Sequence, residues 1–492
     1  MNRSINLLQT PLLGRLLRWK WGRVAIQTPL LIIAILLIID GFTGPQIASR
    51  NLATVLPWVH YRGIIVIVLL LGGNLFCMAC PFTLSRSLGK RLSIRGRRFP
   101  ARLRNKWLAI FTLLTLFFLY EWLDLWASPL LTAWVIIAYF VASFLFEAIF
   151  TESAFCKYVC PLGSFNYVYS NLAPTRITVG DLDICRQCPG KECINGSYQN
   201  TPLISTLDIP VQSSLPPRKP SLEVLGCGTE LFAPQMTSNM DCTLCLDCVR
   251  ACPYDNVIWK LGSFGQGLAK DAWRKGWDQS LLVIILSFLG LMNAFGMVPP
   301  VFDLQRDLGA LLHTQDEFIP LLLIFLFIVV IAPFSLSIAA AYLTRIFSKT
   351  HRNQRLRDIV ALFAPAFVPI GLGIWIAHYS FHFLIVPLSF IPVFQEFLGM
   401  SGNWQTFNVA ADINFIGLVQ MIAIAGGCLW SLKRIQSIAF SEYKKEALPI
   451  TFAWSMIILV LVLAALQIFA LPMEMRGSDN MFASLFTLGQ GF

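Results

Sequence analysis

Charge is what this chain has least of. Asp, Glu, Lys and Arg make up 13% of its 492 residues, where a soluble domain carries about 25%. The shortfall excludes an ordinary soluble globule, and a mean hydropathy of +0.65 points the same way. Acids are scarcer than bases, 27 against 38. The resulting charge of +11 does not mark a nucleic-acid binder, because the basic residues gather in short loops beside apolar runs, where they set membrane orientation. No Rossmann or Walker-A glycine pattern occurs, so no bound nicotinamide, flavin dinucleotide or ATP is expected. The apolar run Val24–Ile39 follows Arg3, Arg15, Arg18, Lys20 and Arg23, and no small-residue cleavage site comes after it. It therefore reads as a first transmembrane helix rather than a removable signal.

Apolar runs near 20 residues are what the chain has in plenty. Nine are expected, near 24–40, 63–80, 107–126, 129–150, 280–298, 318–343, 359–383, 413–432 and 450–471. The loop from Phe82 to Lys106 holds nine basic residues and no acid. Arg345, Lys349, Arg352, Arg355 and Arg357 mark a second basic loop, and Lys433, Arg434, Lys444 and Lys445 a third. Asp303, Asp307, Asp316 and Glu317 face a single Arg306 in the loop between. These charges agree on one topology, with the N-terminus inside and the C-terminus outside a bacterial cytoplasmic membrane. The expected organisation is a four-helix membrane domain over 1–170, a cytoplasmic insert over 171–278 and a five-helix membrane domain over 279–492. The stretch 207–220 is rich in proline and serine and reads as loop. Trp259, Trp273 and Trp277 suit a segment at the membrane interface.

Thirteen cysteines complete the picture, and twelve fall between Cys77 and Cys252. Cys428 lies alone in an apolar run and reads as a small buried hydrophobe. The run Cys242-x2-Cys245-x2-Cys248-x3-Cys252-Pro253 has the spacing of a ferredoxin cradle for a [4Fe–4S] cluster. A zinc site would use two separated pairs instead. In two-cluster ferredoxins the fourth cysteine of such a run serves the other cluster. On that rule one cluster takes Cys185, Cys188, Cys193 and Cys252, and the other takes Cys227, Cys242, Cys245 and Cys248. The competing arrangement is one cluster plus a structural metal knot at Cys185, Cys188 and Cys193. Cys77-x2-Cys80-Pro81 and Cys156-x3-Cys160-Pro161 form a weak internal repeat, each after an out-and-back helix pair. A third iron–sulfur or other metal centre held between the repeats is one reading of these four thiols. Structural zinc, a disulfide or plain burial are the others, and a reducing cytoplasm disfavours the disulfide.

Histidine is scarce at five residues, and His60, His378 and His382 fall at one outer depth. They are candidates for a b-type haem with axial His60 and His378, or for a quinone pocket, against a plain interfacial role among Trp58, Tyr61 and Tyr379. Glu147, two turns before Cys156, is a candidate proton partner for the cysteine centre, with snorkelling at a helix end as the alternative.

The paired cysteine–proline motifs followed by the ferredoxin-type run resemble the membrane-bound polyferredoxins, the four-iron membrane proteins of the NapH, NosR and CcoG type. The likeness covers roughly residues 60–260 and departs at Cys77–Pro81, which has two residues between cysteines where the family typically has three. The resemblance implies an all-α polytopic membrane protein with a cytoplasmic ferredoxin-like insert holding two [4Fe–4S] clusters. It further implies relay of electrons between a cytoplasmic redox partner and a respiratory partner such as a cytochrome, quinone or ferredoxin. An accessory or maturation role for a respiratory oxidase or reductase is the alternative, and a zinc-stabilised transporter is a distant third.

Overall fold

A computed structural model of the chain describes residues 5–85, 89, 96–197, 215–217, 223–269, 271–273, 276–348 and 353–471. Most of the proline- and serine-rich stretch 207–220, part of the first basic loop, Lys349 and Arg352 of the second, and the C-terminus at Phe492 lie outside the described residues. The protein is mostly helical, and its helices are of the kind a polytopic membrane protein needs. Among the described residues seven helical stretches are long and apolar enough to cross a membrane: Gly22–Thr43, Leu52–Gly72, Pro129–Ile149, Trp277–Phe295, Phe318–Phe347, Leu356–Ile385 and Ile413–Phe469. The helix Trp107–Trp122 is apolar but shorter. The last stretch is two helices, Ile413–Tyr443 and Ala447–Phe469, which turn back on each other at Lys444, a residue with φ 47°.

The second helix differs from the run read off the sequence. It starts at Leu52 rather than near 63, and it ends at Gly72 rather than 80. Trp58, His60, Tyr61 and Arg62 interrupt the apolar pattern but stay helical, in a π-type turn over Val55–Tyr61. Gly73 stops the helix at a φ of +73°, a region that favours glycine, and a Cβ there would stand 3.1 Å from the Thr175 hydroxyl. A new short helix, Leu75–Ala79, then carries Cys77. His60 thus lies inside the second helix, not ahead of it.

The chain forms two compact units. The first comprises Met1–Ile32, Val68–Arg104 and Phe140–Trp273, and it contains twelve of the thirteen cysteines. Its sheet has the order β1-β3-β2, with β1 at Ile5–Asn6, β2 at Thr175–Val179 and β3 at Val257–Leu261, all antiparallel. β2 and β3 bracket the cysteine-rich segment, and Leu261 faces both Thr175 and Ile5. The core beneath gathers Leu8 and Leu17 from the N-terminal segment, Met78, and Ile177, Leu244, Val257 and Trp259.

The second unit comprises Ile33–Ile67, Asn105–Tyr139 and Arg274–Phe492. At its centre Trp277–Phe295 is buried on every side from Gln279 to Ala294, with the few polar residues bonded inside it, as Ser287 to the Val283 and Phe367 carbonyls and Asn293 to Glu121. Leu356–Ile385 and Ile413–Tyr443 approach closely at small residues, since a Cβ on Gly373 would stand 2.5 Å from the Ala423 carbonyl oxygen. Pro365 and a short 3₁₀ turn over Ala364–Ala366 loosen the first of these helices, and the Ser431 hydroxyl accepts the Ile370 N–H at 3.0 Å.

Candidate metal centres

Four of the twelve clustered cysteines stand directly before proline, at Cys80, Cys160, Cys188 and Cys252. The following ring forbids the helical region, and all four adopt almost one backbone conformation. Their φ/ψ values are −61/119°, −62/115°, −65/115° and −71/112°. Each therefore ends a helix or helical turn and leaves it on an extended bond, a repeated device that presents a thiol at a helix end.

Cys185, Cys188, Cys193 and Cys252 line one recess together with Pro253 and Asn256. Burial pushes the Cys193 thiol up to about 12, helped by Cys252, Cys185 and Cys188 beside it and opposed by a hydrogen bond with the Ala233 backbone. Two N–H groups of Asn256 point at sulfur, Nδ2 to Cys185 Sγ at 3.1 Å and the backbone N to Cys252 Sγ at 3.4 Å. Lys191, between Cys188 and Cys193, is held at φ 46°.

Cys227, Cys242, Cys245 and Cys248 form a second group. The Cys248 thiol is raised by burial first and then by Cys245, Cys227 and Cys242 around it. Asp241, Leu244 and Leu246 all have positive φ, of 62°, 52° and 61°. Leucine rarely accepts that region, and such strain concentrates where a loop is wound about a functional group. The distance in sequence between Cys193 and Cys227 is closed by a two-stranded bridge, Ser197 N–H to Val224 O at 2.9 Å and Val224 N–H to Ser197 O at 3.1 Å. Gly226, at φ +73°, lies against Gly196 so closely that a Cβ would stand 2.5 Å from its nitrogen. The bridge and the glycine pair carry the remote cysteine to the quartet.

The membrane-edge thiols are also brought together. Cys77 feels Cys80 and Cys160, and Cys156 feels Cys160, Cys80 and Cys77, with burial the largest influence raising both. Burial likewise raises Cys80 to about 11. Cys156 sits in a π-type turn, Phe155–Val159, a distortion frequent at functional sites. The Asn166 amide donates to Cys77 Sγ at 3.4 Å and the Gly163 N–H to Cys160 Sγ at 3.2 Å. Gln27 holds the Cys80 carbonyl at 3.0 Å.

All three groups are built on thiols, and in the first Glu192 Oε2 also stands 3.3 Å from Cys188 Sγ; thiol donors suit soft metals and iron–sulfur clusters. Among the described residues no three His, Cys, Asp or Glu side chains close on the geometry of a single metal ion. A four-iron cubane is wider than one ion, so its ligands need not converge on a point. Four thiols around a recess, with strained loops and N–H groups aimed at sulfur, fit such a group.

The histidines of the haem or quinone expectation each have close polar neighbours. Both ring nitrogens of His60 lie against backbone carbonyls, Nδ1 at 3.1 Å from Val55 O and Nε2 at 3.2 Å from Pro387 O. His378 Nε2 meets His382 Nε2 at 3.0 Å, one turn along the same helix. Sequence reading missed the asparagines that serve the sulfurs. Only their placement near cysteine pointed to them, Asn256 four residues after Cys252 and Asn166 six after Cys160. It missed Arg62 as well, because the second span was drawn from residue 63. No family model matches the chain, and no curated protein and no solved structure matches it either.

Proposed function

We propose that this protein is a membrane-bound iron–sulfur electron relay of the polyferredoxin kind. Nine helices cross the membrane in this reading, counting Trp107–Trp122 and the two halves of Ile413–Phe469 separately. The segment between β2 and β3 is then a cytoplasmic ferredoxin-like domain. Cys185, Cys188, Cys193 and Cys252 would hold one [4Fe–4S] cluster and Cys227, Cys242, Cys245 and Cys248 a second. Cys77, Cys80, Cys156 and Cys160 would hold a third centre. A bound cluster supplies one-electron oxidation and reduction without atom transfer.

The observation that supports this reading is the gathering of three cysteine groups in one compact unit. Cys77 of the membrane-edge group lies within electrostatic reach of Cys242, and Cys248 within reach of Cys193. The Asn74 amide ties the first pair together by donating to the Cys242 carbonyl at 2.6 Å. The group of Cys227, Cys242, Cys245 and Cys248 therefore lies near both of the others, as members of a relay would. The chain's own part is to bury the sulfurs, aim N–H groups at them and fix their sequence. The terminal partners would be a cytoplasmic donor or acceptor and a respiratory cytochrome, quinone or ferredoxin.

The full-length protein, purified and reconstituted without oxygen, is expected to hold about twelve irons. Cys80→Ser and Cys160→Ser should each lose about four and abolish the same electron-paramagnetic signal, leaving the other two clusters intact. Retention of full iron and turnover in both variants would remove the third centre. Failure of the wild type to bind iron would remove the whole reading.

A further inference from the structure

The second unit contains a cavity of about 380 Å³ that plays no part in the proposed relay. Its lining includes Arg50, Trp58, Arg62, Tyr120, His382 and Trp404, and no Asp or Glu lines it. Arg62 lies within the helix Leu52–Gly72 and is only 6% exposed. An ionisable side chain inside a membrane span is costly, and where it occurs it marks a site and needs a partner. Three aromatic rings surround the guanidinium carbon, with centroids 4.4 Å (Trp58), 4.3 Å (Tyr120) and 5.1 Å (Tyr379) away.

Its hydrogen bonding is far from complete. A guanidinium has five N–H donors, and among the described residues Arg62 spends one, on the Tyr120 hydroxyl at 2.8 Å. Glu121 acts on it electrostatically, but the Glu121 carboxylate does not line the cavity and accepts from Asn293 at 2.7 Å. The other arginine, Arg50, is already paired with Glu396 at 3.3 Å. The neighbouring donors are spent too: Trp58 Nε1 on Thr132, Trp404 Nε1 on Glu396, and the Ser389 hydroxyl on Val386 O. What is left facing the cavity is a desolvated cation with N–H groups to give and no carboxylate to receive them. The π-type turn over Val55–Tyr61 immediately before Arg62 lines the same space and is a second mark of a working site.

We infer that this cavity binds an oxyanion, a phosphate or carboxylate group that pairs with Arg62. The remaining lining is mainly apolar and aromatic, so the group arrives as a small free anion or as the head of an amphiphile whose body the tryptophans cover. A charge-assisted fork onto two oxygens is the contact a guanidinium makes best.

The test uses the full-length protein in detergent, with thermal unfolding as the readout. Inorganic phosphate, dihexanoyl phosphatidic acid and neutral decylubiquinone are titrated separately. One or both anions should raise the midpoint saturably. Phosphatidic acid acting alone identifies a lipid head as the source, and both acting identifies a free oxyanion. Arg62→Gln should weaken the apparent affinity about tenfold or more. Val386→Phe, which fills the cavity while keeping Arg62, should do the same and decides the matter if Arg62→Gln does not fold. The inference is overturned if neither anion stabilises, if Val386→Phe responds like the wild type, or if only decylubiquinone binds. The readout needs no iron, so failure here leaves the relay reading untouched, and failure of the relay leaves this site untouched.

Discussion

The cysteines that the structure gathers into three groups stand out in the sequence by their spacing; the asparagines that donate to their sulfurs do not. Asn256 has no periodic or motif signature, yet it gives the Cys185 sulfur an N–H and braces the loop by exchanging hydrogen bonds with the Asp181 backbone at 2.6 and 2.8 Å. A hydrogen bond to sulfur favours the more negative, reduced cluster and so raises its potential. If Cys185, Cys188, Cys193 and Cys252 hold the proposed cluster, Asn256→Ala should lower its potential while any others hold theirs, measured by a redox titration followed by electron-paramagnetic resonance. The same variant should cost about 1–3 kcal/mol of stability, because the Asp181 backbone groups lose their partner. Arg62 escaped notice for the opposite reason. Its charge looks like loop from sequence, and only the helix continuing through it reveals an intramembrane cation.

Among the elements, the apolar helices were legible and their interruptions were not. A run of hydrophobic residues announces a span, but the stop at Gly73 depends on what a Cβ would meet in β2, far along the chain. The strand β1 was invisible for the same reason. Two residues have no pattern, and their partner lies at Lys260 and Leu261. Leu8 just after it is 3% exposed in the core of the first unit. Leu8→Ala should destabilise that unit by about 2–4 kcal/mol, read as a lowered denaturation midpoint and faster loss of iron on dilution.

Phe99 and Arg104 of the first basic loop, with Glu152, supply a pH test. Burial works to raise the Glu152 pKa, but hydrogen bonds from its own backbone, Thr151 and Phe99, and the charge of Arg104, outweigh it and leave the pKa below the usual 4.5. A depressed carboxylate stabilises the fold above its unfolded pKa, and the contribution is lost as pH falls through the lower folded value. The penalty of Glu152→Gln should therefore be present at pH 7 and shrink below pH 4, seen by comparing unfolding of the two proteins across that range.

At the scale of the whole molecule, charge asymmetry between loops was the readable signal, and the proposed orientation rests on it. A reporter inserted after Leu312 should behave as external, and one after Arg355 as cytoplasmic. Reversal of both would invert the topology, and agreement of the two on one side would mean that Phe318–Phe347 does not cross. What sequence could not convey is that the cysteine-rich segment is not self-contained. Its sheet and core borrow β1, Leu8, Leu17 and Met78 from outside it. Residues 175–262 produced alone should thus aggregate or load iron poorly, and joining 5–18 to them should improve the yield of iron-loaded protein.

That borrowed strand has a consequence for biosynthesis. Ile5 is made 256 residues before its partner Leu261, a wait of roughly 13–50 s at ordinary elongation rates. For that interval the N-terminal segment must be kept from other partners. The basic, amphipathic helix Pro11–Arg18 beside it, with Leu12 at 85% exposure, suits a segment parked on the lipid surface meanwhile. The sheet closes only when β3 emerges, and by then every cysteine of the three groups has been translated. In the proposed relay, closure of β1 on β3 would then be the step that precedes iron loading.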